Sequence, residues 1–77
     1  MPPGLPTLSG RVVVAPLERG GFTLDRVVGS HHVLVHQGEP RRAVTVPVHG
    51  NRDLKAGTLR SIIRQAGLTV EDFRDLL

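Results

Sequence analysis

Gly29-Ser30 is the tightest constraint on this chain. The pair stands between two strand-like segments, residues 22–28 and 31–36, with nothing to spare on either side. A two-residue connection of this kind joins antiparallel strands, and glycine suits it because it tolerates φ > 0. The chain is thus committed to a β-hairpin. Two adjacent histidines, His31 and His32, open the second segment, and His36 closes it. Histidine is the side chain that exchanges a proton most readily near neutral pH. Ser30 adds a hydroxyl that both donates and accepts. A turn presenting these groups is a candidate reaction site as well as a fold signal.

The remaining elements arrange themselves around the hairpin. Residues 1–8, with Pro2, Pro3 and Pro6, are expected to be a disordered tail. Ser9 is placed to cap a helix with Val12, Val13, Pro16 and Leu17 as its apolar stripe. A proline inside a helix removes one hydrogen bond and clashes with the preceding turn, at a cost of ~3 kcal/mol, so this helix should be kinked or short. Gly20-Gly21 ends it. From Phe22 to Val28, apolar and polar residues alternate, predicting a strand with Phe22, Leu24 and Val28 on one face. His31–His36 is the second strand. A third, Arg42–Val48, is rich in Val and Thr, and Pro47 marks it as an edge or a terminus. A loop from His49 to Asp53 leads to a helix over 56–66. Its residues Leu59, Ile62, Ile63 and Ala66 recur at i, i+3, i+4, i+7. Gly67 stops that helix. Thr69 caps a last one, with Glu71 and Asp72 in its first turn and Phe73, Leu76 and Leu77 on its buried side. The order is α-β-β-β-α-α. Its simplest packing is α+β, a three-stranded antiparallel sheet with helices on one face, which is the layout of a double-stranded-RNA-binding domain.

Composition narrows the function. The chain has 77 residues, enough for one domain over residues 9–77 with a thin core. With no cysteine, disulfides, thiolate metal sites and thiol nucleophiles are excluded together, which suits a reducing cytosol. No apolar run reaches the ~18 residues of a membrane helix, and the N-terminus lacks the pattern of a signal peptide. A cytoplasmic protein without membrane association is expected. Residues 1–67 carry nine basic and four acidic side chains, a net of +5, whereas residues 68–77 carry one and three, a net of −2. A basic body with an acidic tip suits a polyanionic partner.

Several segments together resemble a known family. They are Gly29-Ser30-His31-His32 with His36, Val44-Thr45-Val46-Pro47-Val48-His49, Leu54 to Ile62 with its Gly57-Thr58-Leu59-Arg60-Ser61 helix start, and Gln65-Ala66-Gly67-Leu68. The chain, from about Leu8 to its end, is identified as a member of the HicA toxins of HicA–HicB toxin–antitoxin systems. The Gly-Ser-His turn and the Gly-Thr-Leu-Arg-Ser helix start, at this separation, make a specific pair. The resemblance implies a double-stranded-RNA-binding-like fold and a small endoribonuclease (an mRNA interferase). That enzyme is a hydrolase that needs no metal or cofactor, cleaves mRNA and arrests growth. It also implies a HicB-type antitoxin that binds the toxin and blocks its site. The family's catalytic histidine falls on His31 by the Gly-Ser-His pattern. Some members place it one residue later, which keeps His32 as the alternative. Pro16 departs from the family's regular first helix, and Ala56 stands where a proline often begins the second.

The chemistry needs little more. RNA carries its own nucleophile, the ribose 2′-OH. A base that takes its proton lets the oxygen attack the adjacent phosphorus, leaving a 2′,3′-cyclic phosphate and a 5′-hydroxyl. General-base help of this kind contributes ~10²–10⁴-fold, and cations on the phosphorane oxygens add to it. His31 is assigned as base, Gly29 and Ser30 shape the turn, and His49 is a possible acid for the leaving oxygen. Arg41, Arg42, Arg52 and Lys55 flank the strand ends and are candidate phosphate contacts. His36 reads as a turn-supporting residue. No metal is expected. His31 and His32 point to opposite faces of a strand, and His32 and His36 share a face but stand ~13 Å apart at ~3.3 Å per residue. Only a cross-strand pair such as His31 with His49 leaves room for zinc. Which face each histidine takes is left open, because a one-residue slip swaps the faces. Two other classes stand beside the enzyme: a non-catalytic RNA-binding module of the same fold, and an adaptor whose apolar edge pairs with another chain.

Overall fold

The computed structural model describes residues 5–77. Helix α1 spans Gly10–Arg19, strands β1 Thr23–Val28, β2 His31–His36 and β3 Arg42–Pro47, and helices α2 Ala56–Gln65 and α3 Val70–Leu76. The order is the α-β-β-β-α-α read from the sequence. The strands form one antiparallel sheet in the order β1-β2-β3, so β2 is central and both neighbours are edges. Leu34, Val44 and Val46 project from one face of the sheet into a buried cluster with Val13, Leu17, Leu59, Ile62, Ile63, Ala66 and Phe73. The layout is that of a double-stranded-RNA-binding domain.

Local chemistry explains the helix ends. The Ser9 hydroxyl accepts from the Val12 amide at 3.3 Å and starts α1. The expected kink or early stop at Pro16 is not what ends this helix. Ten residues run through the proline, whose ring is buried beside Val13 and Leu17. Pro16 lies in the last turn, where burial of the ring offsets the lost hydrogen bond. Val12, expected on the buried stripe, is instead half-exposed.

Glycine-terminated Schellman ends close both long helices. In α1 the Gly21 amide donates to Glu18 and the Phe22 amide to Leu17, with Gly21 at φ 97. In α2 the Gly67 amide donates to Arg64 and the Leu68 amide to Ile63, with Gly67 at φ 73. Phe22 is therefore the residue that follows a helix cap, not the first residue of a strand. Its ring is buried while every residue of β1 is exposed. The expected shared face of Phe22, Leu24 and Val28 does not exist. The register slips between Leu24 and Arg26, and Leu24 and Val28 fall on opposite faces. The Thr69 hydroxyl accepts from Asp72 at 3.0 Å and the Asp72 carboxylate accepts from the Thr69 amide at 3.2 Å, a reciprocal cap that starts α3. Of its apolar side, Phe73 is buried, whereas Leu77 is exposed.

The expected tail lies partly outside the described residues. Within them, Leu5 and Leu8 pack against the core, and the Leu8 carbonyl accepts from the Leu54 amide at 2.8 Å.

Candidate functional site

The Gly29-Ser30 turn is a type II′ connection. Gly29 has φ 59, and among the described residues no non-glycine residue has positive φ, so Ser30 takes the ordinary sign. A Cβ built on Gly29 would meet nothing within 4 Å. The glycine is needed for its backbone angle and not for space. The turn is tied to the end of β3 twice. The Ser30 carbonyl accepts from the Val48 amide at 2.7 Å, and the Ser30 hydroxyl lies 3.5 Å from Nε2 of His49. Ser30 and His49, 19 positions apart, are thus brought side by side next to His31.

Strand register decides what the sequence left open. His32 pairs with Val27 and Val46, and Val46 is fully buried beneath the helices, so His32 lies on the helix side and is half-buried. His31 pairs with Val28 and Pro47 on the opposite, open side and is exposed. The two rings therefore serve different surfaces from one strand end.

His36 sits at the other end of β2 and is enclosed by the fold. Its Nδ1 accepts from the Gly38 amide at 3.0 Å and faces Nη2 of Arg42 at 3.2 Å. Its ring meets the edge of Phe22, with centroids 5.2 Å apart. A Cβ on Gly21 or Gly38 would come within 2.9 and 2.8 Å of the imidazole, so glycine at both positions makes room for it. The turn-supporting role read from the sequence fits these contacts.

The candidate phosphate contacts separate into two groups. Arg42 is bound up in the fold. Its Nη1 donates to the Ala66 carbonyl at 2.8 Å, at the end of α2, and its guanidinium lies 5.8 Å above the Phe22 ring. Arg42 pairs with His36, whereas His31 pairs with Pro47 five positions along the strand. At ~3.3 Å per residue, that separation is ~16 Å. Arg41 precedes Arg42 at that same far end. Arg41 and Arg42 do flank a strand end, as expected, but it is the end of the sheet opposite the histidine turn. Arg52 and Lys55 are different. Both are exposed, with no acidic partner among the described residues, in the connection from β3 to α2. The Arg52 amide donates to the His49 carbonyl at 3.0 Å, closing a turn that keeps Arg52 beside His49. Asp53 forms a β-bridge with Ser9, which pins this loop against the start of α1.

One site-forming residue escaped the sequence reading. A Cβ on Gly10 would stand 1.9 Å from the Pro47 carbonyl oxygen, so α1 abuts the end of β3 only because residue 10 is glycine. A glycine directly after a helix-capping serine was the available signal. Among the described residues, no three His, Cys, Asp or Glu side chains gather into a group that would hold a metal ion, and no helix is long and apolar enough to cross a membrane.

Comparison with known proteins adds one finding. No curated protein matches the chain. A family model described as HicA toxin of bacterial toxin-antitoxin matches residues 10–68, from the first residue of α1 through the cap of α2. That span contains the whole sheet, the histidine turn, and the Arg52–Lys55 loop. By fold and by this match, the chain belongs to the HicA toxins of bacterial toxin–antitoxin systems.

Proposed function

We propose that the protein is a metal-independent endoribonuclease that cleaves mRNA, with a histidine of the Gly29-Ser30 turn as general base. The observation that carries this reading is the cluster at one end of the sheet. Two histidines open β2, Ser30 brings His49 alongside, and two unpaired cations follow in the next loop. His31 is exposed and free to reach a ribose hydroxyl. It takes the 2′-OH proton, the oxygen attacks phosphorus, and the 5′-oxygen leaves with a proton from His49. Arg52 and Lys55 hold the phosphate and offset the charge that builds on it. A second assignment within the same reaction has its own support. His32 lies at the same strand end, on the helix side and half-buried, and as base it would work from that face. With two phenylalanines and no Tyr or Trp, the chain lacks a platform for stacking single-stranded bases. Recognition through phosphate and 2′-OH follows, with little sequence preference. The substrate places the protein in the cytoplasm, where cleavage of mRNA arrests growth under stress until a HicB-type antitoxin covers the site.

The test is incubation of the purified protein with RNA in EDTA, followed by analysis of the ends. Cyclic-phosphate and 5′-hydroxyl termini are expected. Substituting the base, as His31→Ala or His32→Ala, should slow cleavage ~10²–10⁴-fold with RNA affinity nearly unchanged. Salt-sensitive RNA binding without cleavage would replace the enzyme with a non-catalytic RNA-binding module. Full cleavage by both single variants would remove the histidine base altogether.

A further inference from the structure

Three of the five large apolar side chains exposed among the described residues, Leu24 at 48%, Val27 at 50% and Val28 at 57%, lie on β1. This strand pairs with β2 on one side only, and its outer edge presents unpaired backbone groups. We propose that this edge pairs antiparallel with β1 of a second copy of the chain, joining two three-stranded sheets into one of six strands.

The side chains of β1 are close to two-fold symmetric about the middle of the strand. Consider a two-fold axis perpendicular to the sheet, between Asp25 and Arg26. Leu24 then faces the second copy's Val27, Asp25 its Arg26, and Thr23 its Val28. Across that axis each acid meets a base, Leu24 meets Val27, and Val28 meets the methyl-bearing side chain of Thr23. Paired residues must also share a face of the sheet. In a regular strand, residues 24 and 27 lie on opposite faces, which forbids this register. The irregularity between Leu24 and Arg26 lifts the restriction. Leu24 pairs with Leu34 and Val27 with His32, both on the helix side, whereas Thr23, Arg26 and Val28 pair with Val35, Val33 and His31 on the open side. Asp25 and Arg26 already form an ion pair at 2.5 Å within one copy, and the register would extend it to four groups. A bulge more often protects an edge from pairing. Here it arranges the side chains so that the edge complements itself. The helices leave this edge bare, so no part of the described chain blocks the approach. The contact is isologous and closes at two copies.

A six-residue edge is small beside the ~1,200–2,000 Å² of stable interfaces, so the association should be weak, in the micromolar-to-millimolar range. Sedimentation of the full chain from ~1 µM to ~1 mM spans that range, and should show a monomer giving way to a dimer and nothing larger. Asp25→Arg and Arg26→Asp should each abolish the dimer, and the double exchange should restore it. Hydrogen exchange provides a readout independent of the variants, because the outward amides of β1 should slow at high concentration alone. A monomer over the whole range would overturn the proposal. So would a dimer that ignores both charge reversals, or protection of β1 that appears only when an antitoxin chain is added. The RNA-cleavage assays do not bear on this pairing, and its failure leaves the cleavage reading untouched.

Discussion

At the scale of single residues, glycine shows how one residue type answers to different physics. Gly10→Ala places a methyl group 1.9 Å from a backbone carbonyl that no rotamer can move. An overpacking loss of ~1–3 kcal/mol is expected, which a thermal melt would read as a drop of ~4–8 °C per kcal/mol for a domain of this size. Gly57→Ala meets nothing within 4 Å in the first turn of α2 and should raise the melting temperature, with an upper limit near ~1 kcal/mol. Equal effects at the two positions would contradict the packing of α1 on β3. The arginines divide in the same way. Arg42→Ala removes the bond to the Ala66 carbonyl and the contact with His36, so its cost falls on stability, ~1–3 kcal/mol by denaturant melt. Arg52→Ala and Lys55→Ala should leave stability unchanged. Each should instead reduce the salt slope of single-stranded RNA binding by ~0.7, the contribution of one phosphate contact.

At the scale of elements, the caps decide which short pieces persist. α3 has seven residues, too few to hold together in water by propensity alone. The reciprocal bonds of Thr69 and Asp72, with Phe73 buried beneath, keep it in place. Thr69→Ala should cost ~0.5–2 kcal/mol. In hydrogen exchange, its effect should appear first as faster exchange in α3, with β2 unaffected. Loss of protection across the whole chain at once would show that α3 is not a separable unit. Pro16 is the counterexample to reading an element from propensity. The ring that disfavours a helix also supplies buried surface, and in the last turn the second effect prevails.

For the whole molecule, the thin core sets the margin. Phe73 is fully buried in the cluster that joins the sheet to the helices, and it is one of only two aromatic residues. Phe73→Ala is expected to cost ~3–5 kcal/mol, against a total of ~5–15 kcal/mol for ordinary domains. For a chain of 77 residues, substantial unfolding near 37 °C is the expected result by circular dichroism. The end of the sheet that carries the histidine turn and the end braced by the fold are separate. His31, His32, Ser30 and His49 gather where β2 begins, whereas His36, Arg42 and Phe22 brace the end where it finishes. The proposed RNA chemistry and the fold stability should therefore respond to different substitutions, as the paired arginine predictions state.

Much of this organisation is legible in the amino-acid order, because it depends on neighbours along the chain. Gly29-Ser30 dictates a turn, Ser9 and Thr69 start helices through bonds three residues away, Gly21 and Gly67 end them, and the spacing of Leu59, Ile62 and Ile63 marks a buried stripe. The histidine turn was visible for the same reason, as was the family it resembles. The tertiary structure alone decided which side each histidine faces, that Arg42 braces α2, and that Ser30 meets His49. Each of these depends on strand register or on contacts between residues distant in sequence. Local propensity is nearly indifferent to a one-residue shift, but such a shift carries every side chain of a strand to the opposite face.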